Sequence, residues 1–180
     1  TAAARARRLS KDAEITVIEA GPDISFANCG LPYYISGDID RRSKLILQSP
    51  ESFREQYDVL VEVETEVTSI DREKKRVRAL QKSTGRDVEF PYDKLILAQG
   101  GKPFVPPIPG VERPNVFSLW TLRDMDAIED WISSQEPESA LVVGGGFIGL
   151  EMVEALRKRG IQVNLVERLP HVMPNMAAEI

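Results

Sequence analysis

Apolar and polar positions along this chain switch between a helical period and a strand period, and the switches mark its elements. Ala2 to Leu9 is rich in alanine and arginine, strong helix formers, and leads into a strand-like run from Glu14 to Glu19 in which Ile15, Val17 and Glu19 fall on alternate positions. Ser49-Pro50 offers a cap and a first-turn proline, which predicts a helix through Gln56. Val59 to Val63, Glu66 to Asp71, Arg76 to Gln81 and Asp87 to Phe90 are short strand-like runs joined by polar turns and together predict a β-meander. Leu95-Ile96-Leu97-Ala98 is a continuous apolar run before Gly100-Gly101 and predicts a buried strand. Four prolines between Lys102 and Pro109 predict an extended connection between domains. From Leu122 to Ser133 a helical period places Met125, Ile128, Trp131 and Ile132 on one face, the pattern of a packing stripe. Ser139 to Val143 reads as a buried strand, Phe147 to Arg159 as a helix capped by Gly160, and Ile161 to Val166 as the next strand.

The sequence of helix, strand and terminal glutamate occurs twice, at Ala2 to Glu19 and at Phe147 to Glu167. That repetition predicts an α/β chain with two Rossmann-like, three-layer ββα dinucleotide-binding domains, the first with the meander inserted. The first unit's opening strand and glycine loop are expected upstream of Thr1, and the chain stops at Ile180 as a new segment begins, so a fragment with both domains incomplete is expected.

Composition narrows the partners. With 180 residues, 42% hydrophobic, 28% charged and a net charge of −5, the chain is ordinary globular material without the basic field that attracts nucleic acid. The cluster Arg5, Arg7, Arg8 is local. No apolar run has the length of a membrane span and no start resembles a signal peptide, so no membrane partner is expected; no metal is expected in the site either. A single cysteine cannot staple a fold, which suits a reducing cytoplasm.

Two motifs carry chemistry. The first is Gly144-Gly145-Gly146-Phe147-Ile148-Gly149, which follows a predicted strand, opens a predicted helix, and is followed by the acid Glu167, 23 residues beyond Gly144. In that context Gly144 permits the tight turn, Gly146 lets a pyrophosphate approach the N–H groups of the helix start around Phe147 and Ile148, and Gly149 lets helix and sheet pack closely. Glu167 is expected to accept from the adenine ribose hydroxyls and to repel a 2′-phosphate, favouring NADH, while Arg168 leaves NADPH open. Glu19 is the corresponding acid of the first unit, where FAD is the expected dinucleotide, and Ala98 and Gly100 offer close backbone approach to it. The domains are thus 1–110 for FAD and 111–180 for the start of the NAD(P)H unit.

The second motif is Ser25-Phe26-Ala27-Asn28-Cys29-Gly30-Leu31-Pro32-Tyr33-Tyr34, which holds the only cysteine. A thiol reacts as thiolate, and negative charge is favoured at the start of a helix. Pro32 suits a first turn, which predicts a short helix from Leu31 to Ser36 closed by Gly37. The bland alternative is a buried structural cysteine. Asn, Gly and Pro beside it, and the lack of a long apolar run, argue for a reactive thiol.

This run, with Tyr92-Asp93-Lys94-Leu95-Ile96-Leu97-Ala98, the Pro106 to Gly110 hinge and the GGGFIGLE loop, resembles the pyridine nucleotide-disulfide oxidoreductase family across essentially the whole chain. The single-cysteine branch is the nearest in pattern: coenzyme A disulfide reductases, persulfide reductases, and NADH oxidases and peroxidases. The resemblance implies a relay from NADH through FAD to Cys29, which attacks a coenzyme A disulfide or persulfide and forms a mixed disulfide. It implies coenzyme A contacts at Thr1, Arg5, Arg8, Ser25 and Asn28, a position for Glu151 facing flavin and nicotinamide, and a homodimer at full length. Tyr57 stands where the resemblance leads one to expect a lysine, and His171, the only histidine, has no implied role. Two rivals are an NADH oxidase or peroxidase cycling through a sulfenic acid, and a nucleotide-binding sensor or interaction protein without turnover.

Overall fold

Two pairs of parallel strands organise the computed structural model, which describes residues 1–173 and 176. The chain forms two compact units, one of Thr1–Phe26 with Ile46–Gly100 and the other of Ala27–Leu45 with Gly101–Ile180.

In the first unit, helix α1 (Ala2–Leu9) leads into β1 (Thr16–Ile18), as the alternation predicts. A small antiparallel pair, β2 (Ser25–Phe26) with β3 (Ile46–Gln48), escapes the sequence reading because each strand is too short to show a period. Helix α3 (Pro50–Tyr57; the intervening α2, Leu31–Ile35, belongs to the second unit) begins on a capping box in which Ser49 Oγ accepts from the Ser52 N–H at 3.1 Å and Ser52 Oγ accepts from the Ser49 N–H at 3.0 Å. It ends at Asp58 in the left-handed region, φ 47°.

The next strand corrects the expected meander. β4 (Leu60–Glu62) pairs in parallel with β1, Thr16 opposite Leu60 and Ile18 opposite Glu62. Val59 and Val61 are buried, so this strand belongs to the core layer that α3 crosses over to reach. The meander proper has three strands, β5 (Thr65–Asp71), β6 (Arg76–Gln81) and β7 (Arg86–Pro91). Val77 and Ala79 of β6 are buried, paired with Ile70 and Val67 on one side and with Phe90 and Val88 on the other, while Arg76 and Arg78 pair with Glu89.

Leu95 to Ala98 does not form the expected strand. No helix or strand occupies 92–121, and Ile96 and Leu97 are each 66% exposed. A strand exists through its ladder, and among the described residues no strand pairs with this run.

In the second unit, α4 (Leu122–Gln135) starts on a capping box between Thr121 and Asp124 and buries Leu122, Met125, Ile128 and Ile132, the expected stripe. Trp131, half-buried, tilts against Phe117 at 5.9 Å between ring centroids. β8 (Ser139–Val143) and β9 (Gln162–Val166) run parallel, joined through α5 (Phe147–Lys158) and the glycine turn at Gly160, φ 80°. β8 is not buried on both faces as its apolar run suggests: Leu141 and Val143 are 60% and 64% exposed, because α5 covers one side only. Residues 27–45 contribute a 3-10 turn (Asn28–Gly30), helix α2 (Leu31–Ile35) and a second 3-10 turn (Arg42–Leu45). Leu31, Ile35 and Leu45 are almost wholly buried, and α2 packs on α4 and α5.

Candidate functional site

Cys29 occupies the middle of the Asn28–Gly30 turn, and its side chain is exposed. The bland alternative of a buried structural cysteine does not hold. What is buried is its neighbour Gly30, where an added Cβ would meet Leu45 Cδ2 at 2.5 Å and Ile39 Cδ1 at 3.4 Å. Any larger residue at 30 would have to displace Leu45, itself fully buried, so glycine at this position lets the turn lie flat on the core and leaves the sulfur facing out. Pro32 stands in the first turn of α2, and Gly37, φ 86°, follows its end, as the sequence predicts.

The glycine loop has the geometry its motif implies. Gly144 adopts φ 105° and its N–H donates to the Val166 carbonyl at 2.8 Å, which ties the loop to the end of β9. A Cβ on Gly149 would lie 2.0 Å from the Gly144 carbonyl oxygen, so the helix touches the turn backbone directly. Gly146 caps α5 with extended backbone, no side chain caps the helix, and a Cβ there would meet nothing within 4 Å. The helix start thus has no side-chain cap, and the space beside Gly146 is open, an arrangement that fits a dinucleotide pyrophosphate. Phe147 and Ile148 are exposed beside it, and Glu151 one turn on lines a small depression with Pro32, Tyr33, Ser36, Asp38 and Lys158.

Glu167 has a task the sequence did not disclose. Its Oε2 accepts from the Gly145 N–H at 2.7 Å and its Oε1 from the Leu169 N–H at 2.8 Å. Those backbone donors, Leu169 first and then Gly145, hold its carboxyl below the ordinary glutamate range. The hold on the loop is complete above the unfolded glutamate value and is lost as pH falls through the lower folded one. Each oxygen retains a lone pair, so the carboxylate can still accept from a ribose.

In the first unit, Glu19 makes a similar local bond, its Oε1 accepting from the Gly21 N–H at 2.8 Å, and its other oxygen has no partner among the described residues. A free carboxylate oxygen at the end of a parallel strand fits a ribose hydroxyl of FAD. Ala98 and Gly100 are exposed on the irregular segment, Gly100 with φ 65°. Thr1 caps α1 without a side-chain bond, Arg5 and Arg8 are exposed and form no hydrogen bond or ion pair among the described residues, and Ser25 lies in β2 opposite Gln48. Thr1, Arg5, Arg8, Ser25, Glu19, Ala98 and Gly100 thus belong to the first unit. Asn28, Cys29, the glycine loop, Glu151 and Glu167 belong to the second.

The third arginine of the cluster is different. Arg7 donates to the carbonyls of Tyr57, Asp58 and Lys11 at 2.9, 2.6 and 2.6 Å, closing the end of α3 and the turn after α1. Only the helical phase separates it from Arg5 and Arg8, and that phase was the signal available.

Compared with known proteins, all of residues 1–180 match the family model described as pyridine nucleotide-disulphide oxidoreductase. The coenzyme A disulfide reductase of Staphylococcus haemolyticus is 39% identical over 93% of this chain and 38% of its own length. An NADH oxidase of Methanocaldococcus jannaschii is 36% identical over 97% of this chain and 39% of its own. Among solved structures, reduced Bacillus anthracis CoADR-RHD superposes with a TM-score of 0.95 at 46% identity, covering 98% of this chain and 32% of that one. The chain spans about two fifths of the length of the curated relatives it matches.

Proposed function

The chain belongs to the pyridine nucleotide-disulphide oxidoreductase family, and from that premise we propose that it is part of an FAD-dependent NAD(P)H oxidoreductase that reduces coenzyme A disulfide, or a related small disulfide or persulfide, through Cys29. The observation that carries this reading is the exposed thiol on a tightly packed turn, in a chain with no second cysteine. The similarity to the staphylococcal coenzyme A disulfide reductase supports the substrate class.

Cys29 thiolate attacks one sulfur of the disulfide; an S–S bond forms to Cys29, the original bond breaks, and one coenzyme A leaves as thiolate. Two electrons then cleave the mixed disulfide, restoring the Cys29 thiolate and releasing the second coenzyme A. FAD, when bound, supplies the ring through which the two electrons of a reduced nicotinamide reach sulfur. The loop Gly144, Gly146, Phe147, Ile148 and Gly149 holds the nicotinamide dinucleotide, Glu167 its ribose, and Glu151 faces the reacting rings. Glu19, Ala98 and Gly100 contact FAD. Arg5 and Arg8, i and i+3 on one helical face, suit coenzyme A phosphates, with Thr1, Ser25 and Asn28 completing the contacts. In this reading 1–110 is FAD-binding, 111–180 begins the NAD(P)H unit, and the full-length protein is a cytoplasmic homodimer.

Feeding NADH to the full-length protein with coenzyme A disulfide, a persulfide, oxygen or peroxide tests the reading. Oxidation dependent on the disulfide or persulfide is expected. Turnover with oxygen or peroxide alone would instead favour the oxidase reading that the archaeal relative suggests. No acceptor-dependent oxidation would leave a non-catalytic nucleotide binder.

Because Glu167 both holds the loop and faces the ribose, Glu167→Ala is expected to raise the KM for NADH and for NADPH, and to raise it more for NADH. An unchanged ratio of the two constants would refute the ribose role; two unaltered constants would refute both roles.

A further inference from the structure

The helix behind the Cys29 turn has only five residues, too few to persist without outside support. Its end must also satisfy the carbonyls that no following turn can reach. Those of Pro32, Tyr33 and Tyr34 accept from the N–H groups of Ser36, Ile39 and Gly37 at 2.9, 2.9 and 3.0 Å. That leaves Ile35, whose side chain is fully buried and whose carbonyl accepts from Arg159 Nη1 at 2.8 Å. The same nitrogen donates to Glu129 Oε2 of α4 at 2.8 Å. Arg159 lies just past the end of α5, so one guanidinium joins α5, α4 and the last carbonyl of α2. Charge-assisted donors of this kind are the stronger class of hydrogen bond, and the site is about three-quarters removed from water, with Arg159 and Glu129 side chains 27% and 23% exposed. Two more ties act on the same segment: Lys158 reaches Asp38 at 2.8 Å, and Arg42 grips Asp126 through Nε and Nη2 at 2.9 Å each.

We infer that Arg159 is a positioning residue for Cys29: its guanidinium, oriented by Glu129, closes the C-terminal end of α2 and thereby fixes the turn from which the sulfur projects. The inference rests on the reading of Cys29 as the attacking thiol. Thiol–disulfide exchange requires the incoming sulfur to line up with the bond it breaks, and a turn held by packing at Gly30 and by Arg159 at the far end of α2 keeps that direction. No nucleotide contact is involved, because the glycine loop is at the opposite end of α5.

The test compares the full-length, FAD-loaded protein with its Arg159→Met and Arg159→Lys variants. In Arg159→Met, kcat for disulfide reduction is expected to fall about tenfold with KM little changed, the order expected when a reacting group is misplaced. Flavin reduction by NADH in anaerobic stopped flow is expected to be unchanged. Amide hydrogen exchange across 31–37 is expected to speed up, and the rate of Cys29 alkylation by iodoacetamide to change with it. Arg159→Lys, which can still donate to the Ile35 carbonyl, should recover most of the loss. Unaltered kcat and exchange, or equal losses of disulfide reduction and of NADH-driven flavin reduction, would overturn the inference. Should the unmodified protein reduce no disulfide at all, the functional reading falls, and the exchange and alkylation rates still decide the role of Arg159.

Discussion

Cys29→Ser in the full-length protein is expected to abolish disulfide-dependent NADH oxidation while leaving reduction of bound FAD by NADH intact. The hydroxyl is not ionised near neutrality and cannot displace a thiolate from a disulfide, so the loss should be complete within the sensitivity of a steady-state assay. The structure separates this chemical effect from a folding defect. Cys29 is exposed, and the buried residue of its turn is Gly30, so the serine changes one surface atom and should alter stability by no more than about 0.5 kcal/mol. Steady-state turnover with coenzyme A disulfide, alongside anaerobic stopped-flow flavin reduction, makes the comparison. Retained turnover would remove Cys29 from the mechanism, and loss of both steps would place it in nucleotide binding.

The second large effect lies at Gly149. Alanine there would bring its Cβ to 2.0 Å from the Gly144 carbonyl oxygen and 3.1 Å from its carbon, both backbone atoms. Alanine gains up to about 1 kcal/mol of helix propensity over glycine, but the overlap forces α5 away from the turn at a cost of up to about 3 kcal/mol. The displacement falls on the N–H groups that would meet the pyrophosphate, so NADH affinity is expected to drop by roughly a hundredfold, which corresponds to about 3 kcal/mol. FAD content should be preserved, since the FAD-directed residues lie in the other unit. Titration of NADH against flavin reduction checks this; unchanged affinity would show that the loop is not the nicotinamide site.

Much of this arrangement was legible in the sequence because it rests on local chemistry. Pro32 and Gly37 frame α2, Gly144 to Gly149 form the turn, and the stripe Met125, Ile128, Ile132 packs inward, all as the residue types dictate. Long-range pairing was not legible. Leu60 to Glu62 looks like a meander strand, yet it pairs with β1 about forty positions earlier, which the sequence spacing does not encode. Leu95 to Ala98 has the composition of a buried strand but no ladder to join. In the site, exposure of Cys29 depended on how Leu45 fits over Gly30, and the roles of Arg7 and Arg159 depended on carbonyls far away in sequence. Charged side chains that serve the backbone look the same, in sequence, as charged side chains that serve a ligand.

The glycine loop is tied to Glu167 and to neighbouring backbone by three hydrogen bonds. Glu167 accepts from Gly145, the Gly145 carbonyl accepts from the Met173 N–H at 2.7 Å, and Gly144 donates to Val166. Such preorganisation means that association orders little backbone, so the entropy lost on binding should come mainly from the ligand. Loosening Glu167 by acid or by substitution would transfer that ordering to the moment of encounter, and affinity would weaken even where every direct contact to the nucleotide survived.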